Sequence, residues 1–179
     1  MKRVFTVLAL LIVVLLAGAG GYIYSKQPTR QGQIELRNLQ GSVTVRYDER
    51  GVPHIRAENE TDLYRPLGYV HAQDRLFQME AMRRLARGEL AEVLGPKLLD
   101  TDKLFRSLRI RERAASYVAS LDKQSPAWKG LQAYLDGINQ YQDTHAAPVE
   151  FDVLGIPKRP FTAEDSISVA GYMAYSFAA

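Results

Sequence analysis

The sequence contains no cysteine, and this absence removes several kinds of chemistry at once. Disulfide bridges, thiolate nucleophiles and cysteine-based zinc sites are all excluded. Histidine is scarce as well, and no two of His54, His71 and His145 have the spacing of a helical metal-binding pair. Neither a Gly-x-Ser-x-Gly elbow nor a glycine-rich phosphate loop after a strand occurs. The residues taken alone therefore assign no catalytic centre and no organic cofactor.

A large excess of charge of one sign is also missing. The 179 residues carry a formal net charge of +3, from 23 lysines and arginines against 20 aspartates and glutamates. Acidic residues accompany the basic ones in most segments, so nucleic acid is not an expected partner. Arg83, Arg84 and Arg87 are interpreted as a solvated or ion-paired helix face rather than as an anion site.

The longest apolar run lies near the N-terminus. Two basic residues precede an uncharged run over residues 4–24, which is long enough to span a bilayer. Residues 1–24 are either a signal peptide, cleaved after the small residues 17–19, or an uncleaved membrane anchor. Both alternatives predict export, to the periplasm or to the outer side of the membrane. The polar residues 25–32 are predicted to be a linker.

Residues 33–179 begin with a predicted β-hairpin. Apolar and polar residues alternate over residues 43–47, which is the strand period. Residues 48–51 supply turn chemistry, and residues 52–56 form the return strand. Residues 34–36 are a candidate for a further short strand.

Helical patterns follow the hairpin. Asn59 or Thr61 is expected to cap a helix in which Pro66 introduces a kink. The apolar pattern then continues from Leu67 to Leu94 and ends at a Gly-Pro stop signal. Asp74 interrupts the apolar stripe of this helix. We expect it to lock the core through an ion pair rather than to act in catalysis.

Three more segments complete the predicted architecture. A second helical region covers roughly residues 102–121, and Ser125-Pro126 begins a third helix with a cap and a proline at the first position. Residues 145–160 are predicted to be a loop. Residues 162–165 resemble a capping box that begins the last helix. The fold class is therefore α+β, mostly helical with an N-terminal hairpin.

The last helix has no C-terminal glycine after its apolar pattern, no basic last turn and no proline between Val169 and Ala179. These missing stop signals favour a fragment of a longer polypeptide, incomplete at its C-terminus.

The residues that follow the hairpin resemble the penicillin acylase family, which consists of N-terminal nucleophile hydrolases. Residues 68–80 (GYVHAQDRLFQME) resemble its first long helix, and residues 91–95 (AEVLG) continue that helix in register. Residues 51–55 resemble the early hairpin of the family. The matches are ordered and cover most of residues 33–179, which therefore resemble the α-subunit region.

The resemblance implies an αββα fold and a hydrolase that acts on linear amide C–N bonds. An exported precursor would cut itself into an α chain and a β chain, and the serine at the start of the β chain would attack the amide of a small N-acylated molecule. Met173 and Phe177 match residues that contact the acyl group. Ser176 departs from the family, which has an arginine there, so the resemblance does not extend to arginine-dependent gating of the pocket. The family also binds calcium, with ligands outside this chain.

This chain would therefore be the α part of a heterodimer, inactive without its β chain. Two alternatives stay open. The first is an acyl-homoserine lactone as the substrate instead of the side chain of a β-lactam. The second is a catalytically inactive helical fragment or binding protein, held at the membrane through residues 4–24.

Overall fold

The computed structural model describes residues 2–178, without the side chains of residues 2–4, 6, 8 and 9. The described chain is mostly helical and has a small two-stranded antiparallel sheet. It divides into two compact units, Met1–Gln31 and Gly32–Ala179. The elements in chain order are α1 (Lys2–Ser25), β1 (Thr44–Tyr47), β2 (Pro53–Arg56), α2 (Glu60–Arg87), α3 (Ala91–Leu94), a 3₁₀ turn (Pro96–Leu98), α4 (Leu99–Ser107), α5 (Ile110–Ser120), α6 (Pro126–Thr144), α7 (Val149–Leu154) and α8 (Ala163–Ala178).

The first unit consists mainly of α1, which contains the apolar run of residues 4–24. Within the described part of the chain, none of the helices combines the length and the apolarity that a membrane span requires. Several side chains at the start of the run lie outside the described residues. The signal peptide and the membrane anchor both stay predictions.

The hairpin forms as predicted from the alternation of apolar and polar residues. β1 pairs with β2 in antiparallel register, with Val45 opposite Ile55 and Tyr47 opposite Pro53. Pro53 is the first residue of its strand, where its missing N–H is tolerated. In the turn, the Asp48 carboxylate accepts the N–H of Val52 at 2.8 Å. It also lies 3.5 Å from His54 Nε2, at the limit of a hydrogen bond.

The strand expected at residues 34–36 does not form. The backbone beside it bonds to α6 instead: Arg37 N donates to Gln140 Oε1 at 2.7 Å, and Gln140 Nε2 donates to Arg37 O at 3.3 Å. Asn38 then takes a left-handed conformation, with φ of 65°. The Gln140 side chain thus satisfies both peptide groups of Arg37, directly after the segment, and ties the chain to α6.

α2 begins as expected, with the Asn59 side chain accepting the N–H of Asp62 at 2.9 Å. The kink predicted at Pro66 is not there. The chain has helical geometry around this buried proline, and the distorted residue is Arg75, with φ −140° and ψ 19°. The helix also ends earlier than the predicted Leu94, because Gly88 adopts a left-handed C-cap conformation.

Close packing of α2 on α6 explains why the turn that contains Pro66 stays helical. A Cβ added to Gly68 would lie 1.9 Å from the Tyr134 carbonyl oxygen, and one added to Gly137 would lie 1.9 Å from the Arg65 carbonyl oxygen. The two backbones therefore touch at both glycines. The contact holds the first turns of α2 in place, and the core lies beside it, around Leu76 and Ile138.

The remaining helices agree only in part with the sequence predictions. Ser125 caps α6 as predicted, accepting the N–H of Trp128 at 3.2 Å. The helical region expected over residues 102–121 is two helices, because Arg109 has a left-handed conformation that separates α4 from α5. The predicted loop contains α7, whose Phe151 is buried in the core. Tertiary packing therefore stabilises a helix too short to be evident from its sequence.

Candidate functional site

The helix α8 carries both residues for which the sequence predicts substrate contact. Met173 and Phe177 are four residues apart and lie on one face, with exposed fractions of 49% and 86%. Ala170 and Ala174 share that face and are also exposed. These four residues form a continuous apolar surface, which we call the α8 strip. Apolar side chains grouped in this way are typical of a surface that contacts a ligand or another chain.

The opposite side of α8 fixes which face becomes the strip. Tyr172 and Tyr175 both make edge contacts with Phe105 of α4, with ring centroids 5.4 and 5.8 Å away. Gly171 lies so close to α5 that an added Cβ would be 3.0 Å from Ile110 Cγ2. Since this side is packed against α4 and α5, the α8 strip faces away from them.

The α8 strip is electrically neutral. The acidic residues of α8 lie in its first turn, and its last turn has no basic residue. The hydroxyl of Ser176, at the position where the resemblance leads one to expect arginine, donates to the Met173 carbonyl at 2.8 Å. Ser176 therefore provides no cation beside Met173 and Phe177.

The N-terminus of α8 is capped as the sequence predicts. Thr162 Oγ1 accepts the N–H of Asp165 at 3.3 Å, and the Asp165 carboxylate accepts the N–H of Thr162 at 3.0 Å. Asp165 is only 4% exposed, so this carboxylate needs further partners to offset the cost of its burial.

Arginines of α2 supply those partners. Arg83 Nη1 lies 3.4 Å and Arg87 Nη1 lies 2.9 Å from the Asp165 carboxylate. Glu80 accepts from Arg83 and also from Arg84 Nε, the latter at 2.7 Å. The contacts extend into a network that we call the α2 ion-pair cluster. Its members are Glu80, Arg83, Arg84, Arg87, Glu89, Glu92, Arg159 and Asp165.

The centre of this cluster is deeply buried. Glu80 is 0% exposed, and Arg83 and Arg84 are 2% and 3% exposed. The prediction of an ion-paired face is thus confirmed, whereas the prediction of a solvated one is wrong. The spacing of Glu80 from Arg83 and Arg84 indicates the pairing. Their burial comes from packing that the helical pattern does not show.

The rim of the cluster is held by charge as well. Burial disfavours the Glu89 carboxylate, but Arg87 at 3.0 Å and Arg159 at 3.2 Å outweigh it and keep the Glu89 pKa below its usual range.

Asp74, expected to lock the core, is only half-buried. The carboxylates of α2 that are fully buried are Asp62, at its start, and Glu80, three to four residues before its arginines.

The histidines outside the hairpin take part in packing contacts. His145 stacks on Tyr141 with ring centroids 4.5 Å apart. His71 Nδ1 lies 3.0 Å from Tyr134 Oη, and burial lowers the His71 pKa, although the charge of Asp74 opposes this. Among the residues that the structure describes, no group of three or more histidine, aspartate or glutamate side chains is arranged to hold a metal ion.

Comparison with known proteins places this geometry in a family. A family model described as Penicillin amidase matches residues 42–179, which include the hairpin, the α2 ion-pair cluster and α8. The chain belongs to the penicillin amidase family.

Curated members of the penicillin amidase family resemble the chain closely. It is 38% identical over 143 residues to the Penicillin acylase 2 proenzyme of Pseudomonas sp. (strain SE83), a match that covers 79% of this chain and 18% of that protein. It is 41% identical over 142 residues to the acyl-homoserine lactone acylase QuiP of Pseudomonas putida (strain KT2440), covering 78% and 17%. The chain thus spans less than a fifth of the length of these relatives.

A solved structure of the family shares the fold. The thermostable penicillin G acylase from Alcaligenes faecalis superposes with a TM-score of 0.67 and is 33% identical. The match covers 76% of this chain and 74% of that one. The mostly helical fold with a small sheet is therefore that of a penicillin acylase fragment.

Proposed function

We propose that the chain is the α part of an amidohydrolase that releases the acyl group of a small N-acylated molecule. The observation that carries the proposal is the α8 strip, on which Met173 and Phe177 lie side by side in a member of the penicillin amidase family. In this role, the two side chains line one wall of the pocket for the acyl group.

The chemical step would use a second chain, as the family resemblance implies. The serine at the start of a β chain would attack the amide carbonyl, and its own α-amino group would accept the hydroxyl proton. Such a group has a pKa of about 7.7–8.0, so a useful fraction is neutral near pH 7. Donors on that chain would stabilise the oxyanion. The complete enzyme would then have the αββα fold.

The neutrality of the α8 strip supports an uncharged, apolar acyl group. An acyl chain that leaves water and contacts Met173 and Phe177 gains roughly 25 cal/mol for each Å² of apolar surface buried. A carboxylate at the end of the acyl group would find no lysine or arginine on α8. Ser176 would leave this wall without arginine-dependent gating.

Acyl-homoserine lactones are a second candidate substrate class. Several relatives carry the name acyl-homoserine lactone acylase QuiP, and the chain is 30% to 41% identical to them. The side chain of a penicillin and an acyl-homoserine lactone both present an apolar acyl group on an amide. One neutral wall therefore suits either substrate, and an assay of both amides distinguishes them.

The proposal also includes export of the precursor and binding of calcium. Residues 4–24 would carry the precursor to the periplasm, as a signal peptide or as an anchor. Calcium would bind through residues outside this chain.

The test uses the protein produced from the complete reading frame that contains residues 1–179. We expect self-cleavage to give a second chain that begins with serine, and release of a primary amine from penicillin G or from an N-acyl-homoserine lactone. N-terminal sequencing and an amine assay measure these outcomes. A product that neither cleaves itself nor hydrolyses either amide would support the inactive helical alternative and overturn the proposal.

Substitution of Phe177 tests the wall itself. Full burial of such a side chain contributes about 1.5–3 kcal/mol, so Phe177→Ala should raise KM roughly 10- to 100-fold for a long acyl group. Val153→Ala is the matched control, because Val153 is an apolar side chain of α7 that is 78% exposed. If both variants have the KM of the unsubstituted enzyme, Phe177 does not contact the substrate.

A further inference from the structure

The carboxylate of Asp165 connects the N-terminus of α8 to α2. Asp165 Oδ2 accepts the N–H and the hydroxyl of Thr162, both at 3.0 Å, and so closes the first turn of α8. The same carboxylate receives Arg83 and Arg87 from α2, at 3.4 and 2.9 Å. The group that caps α8 is thus also the group that attaches it to α2.

The arginines are themselves held in place. Arg83 donates to Glu80 and to the Pro160 carbonyl oxygen, the latter at 3.0 Å, and its guanidinium lies 4.1 Å from the centre of the Phe161 ring. Arg87 also donates to Glu89 at 3.0 Å. Since each arginine has a second partner, neither can follow Asp165 if α8 moves.

The length of α8 amplifies any change at Asp165. Phe177 lies twelve residues further along, which is about 18 Å at ~1.5 Å per residue. A tilt of about 10° at the N-terminus of α8 would therefore move Phe177 by about 3 Å. The aromatic contacts of Phe105 limit the rotation of α8, but they involve its C-terminal half. In the first turn, Ala163 packs in the core, and Asp165 makes the ion pairs with α2.

We propose that Asp165 is a positioning residue for acyl-group selectivity. Its carboxylate sets the direction of α8 from Arg83 and Arg87, and thereby the location of Met173 and Phe177, although Asp165 itself is buried away from the α8 strip. The selectivity part rests on the proposed function, whereas the direction of α8 does not.

The direction of α8 is tested in the 179-residue chain. Because the sequence has no cysteine, Lys129→Cys on α6 and Ala174→Cys on α8 give two unique spin labels at exposed positions. Pulsed electron paramagnetic resonance should give one narrow distance distribution in this labelled parent. Adding Asp165→Asn, which keeps the shape of the side chain but removes its charge, should shift or broaden the distribution by about 2 Å, because residue 174 lies nine residues from Asp165.

Two further variants make the distance measurement decisive. Asp100→Asn removes a carboxylate that is 95% exposed and pairs with Lys103, and it should leave the distribution unchanged. Arg87→Met keeps the Arg83 contact and should shift the distance less than Asp165→Asn. If circular dichroism shows that Asp165→Asn is unfolded, the distance measured in Arg87→Met decides whether Asp165 directs α8. A distribution that neither Arg87→Met nor a folded Asp165→Asn alters would overturn the proposal.

Selectivity is tested in the enzyme from the complete reading frame, with N-acyl p-nitroanilides of increasing acyl length. Displacement of a binding group by about 1 Å can cost up to ~100-fold, so Asp165→Asn should raise KM for the longest acyl group by about tenfold or more. KM for acetyl p-nitroanilide should change by less than about twofold. Asp165→Glu, which keeps the charge, should restore much of the parent profile.

The result separates positioning from plain destabilisation. Loss of folded enzyme would lower the apparent kcat for every substrate equally and leave each KM unchanged, which would refute the selectivity role. If the unsubstituted protein hydrolyses no amide, the proposed function fails together with the selectivity role. The distance measurement would still decide whether Asp165 directs α8.

Discussion

Glu80→Gln should lower the free energy of unfolding by far more than the neutralisation of one exposed carboxylate would. Glu80 is completely buried and accepts from Arg83 and Arg84. Four arginines of the α2 ion-pair cluster face four carboxylates, and Glu80→Gln leaves three. The amide keeps the shape of the side chain, so the change removes charge and leaves the packing volume nearly unaltered.

The size of the effect follows from the partners that remain. Removing one member of a buried ion pair costs about 3–5 kcal/mol, because the other charge stays buried without compensation. Arg83 keeps Asp165 at 3.4 Å, and Arg84 keeps Glu92 at 2.9 Å, so we expect the lower end, about 3 kcal/mol. At ~2–4 °C per kcal/mol, the Tm should fall by roughly 6–12 °C.

Urea unfolding followed by circular dichroism measures this cost, with an unchanged m-value as the sign that only stability has changed. The exposed Asp100→Asn serves as control and should cost less than about 1 kcal/mol. Combining Glu80→Gln with Arg84→Met should cost less than the sum of the two single changes, by about 0.5–3 kcal/mol, because it restores the charge balance. A Glu80→Gln cost below about 1 kcal/mol, or strict additivity, would show that the cluster is not electrostatically coupled.

Two further predictions concern α2. Gly68→Ala should cost at least about 1–3 kcal/mol in urea unfolding, because its Cβ would lie 1.9 Å from a backbone oxygen of α6. Gly130→Ala should cost less, since its Cβ would meet only the Tyr64 side chain, at 3.0 Å, and equal costs would contradict the backbone contact. Burial disfavours the Asp62 carboxylate, but N–H donors of Gln40, Asn59 and Gly41 outweigh it and lower its pKa. Its stabilisation is therefore complete above the ordinary value of about 3.9 and is lost as the pH falls below that value. Asp62→Asn should flatten the decline in unfolding free energy as the pH falls below about 4, and an unaltered slope would argue against this assignment.

Features that depend on a few neighbouring residues could be predicted from the sequence. The hairpin follows from alternation and a turn, and the starts of α6 and α8 follow from Ser125 and from the Thr162–Asp165 capping box. In each case the side chain that gives the signal is also the one that makes the hydrogen bond. Local chemistry was therefore sufficient.

Features that depend on distant contacts could not be predicted in this way. Gln140 of α6 bonds the backbone of Arg37 directly after residues 34–36, where a strand was expected, and the burial of Phe151 stabilises α7. Arg109 adopts a left-handed conformation that its residue type does not indicate. The helical pattern likewise gave no sign that Glu80 and its arginines are buried. Met173 and Phe177 were identified by resemblance, and the structure places them together on the exposed face of α8.

The double glycine contact between α2 and α6 restricts where the chain can change in length. The carbonyl oxygen of Tyr134 on α6 packs against Gly68 of α2, and the carbonyl oxygen of Arg65 on α2 packs against Gly137 of α6. The two contacts are therefore reciprocal. One residue inserted between Tyr134 and Gly137 would rotate one glycine by about 100° away from its carbonyl. Insertions, deletions and fusion points for engineering therefore belong in exposed connections outside this crossing, such as residues 122–124 between α5 and α6.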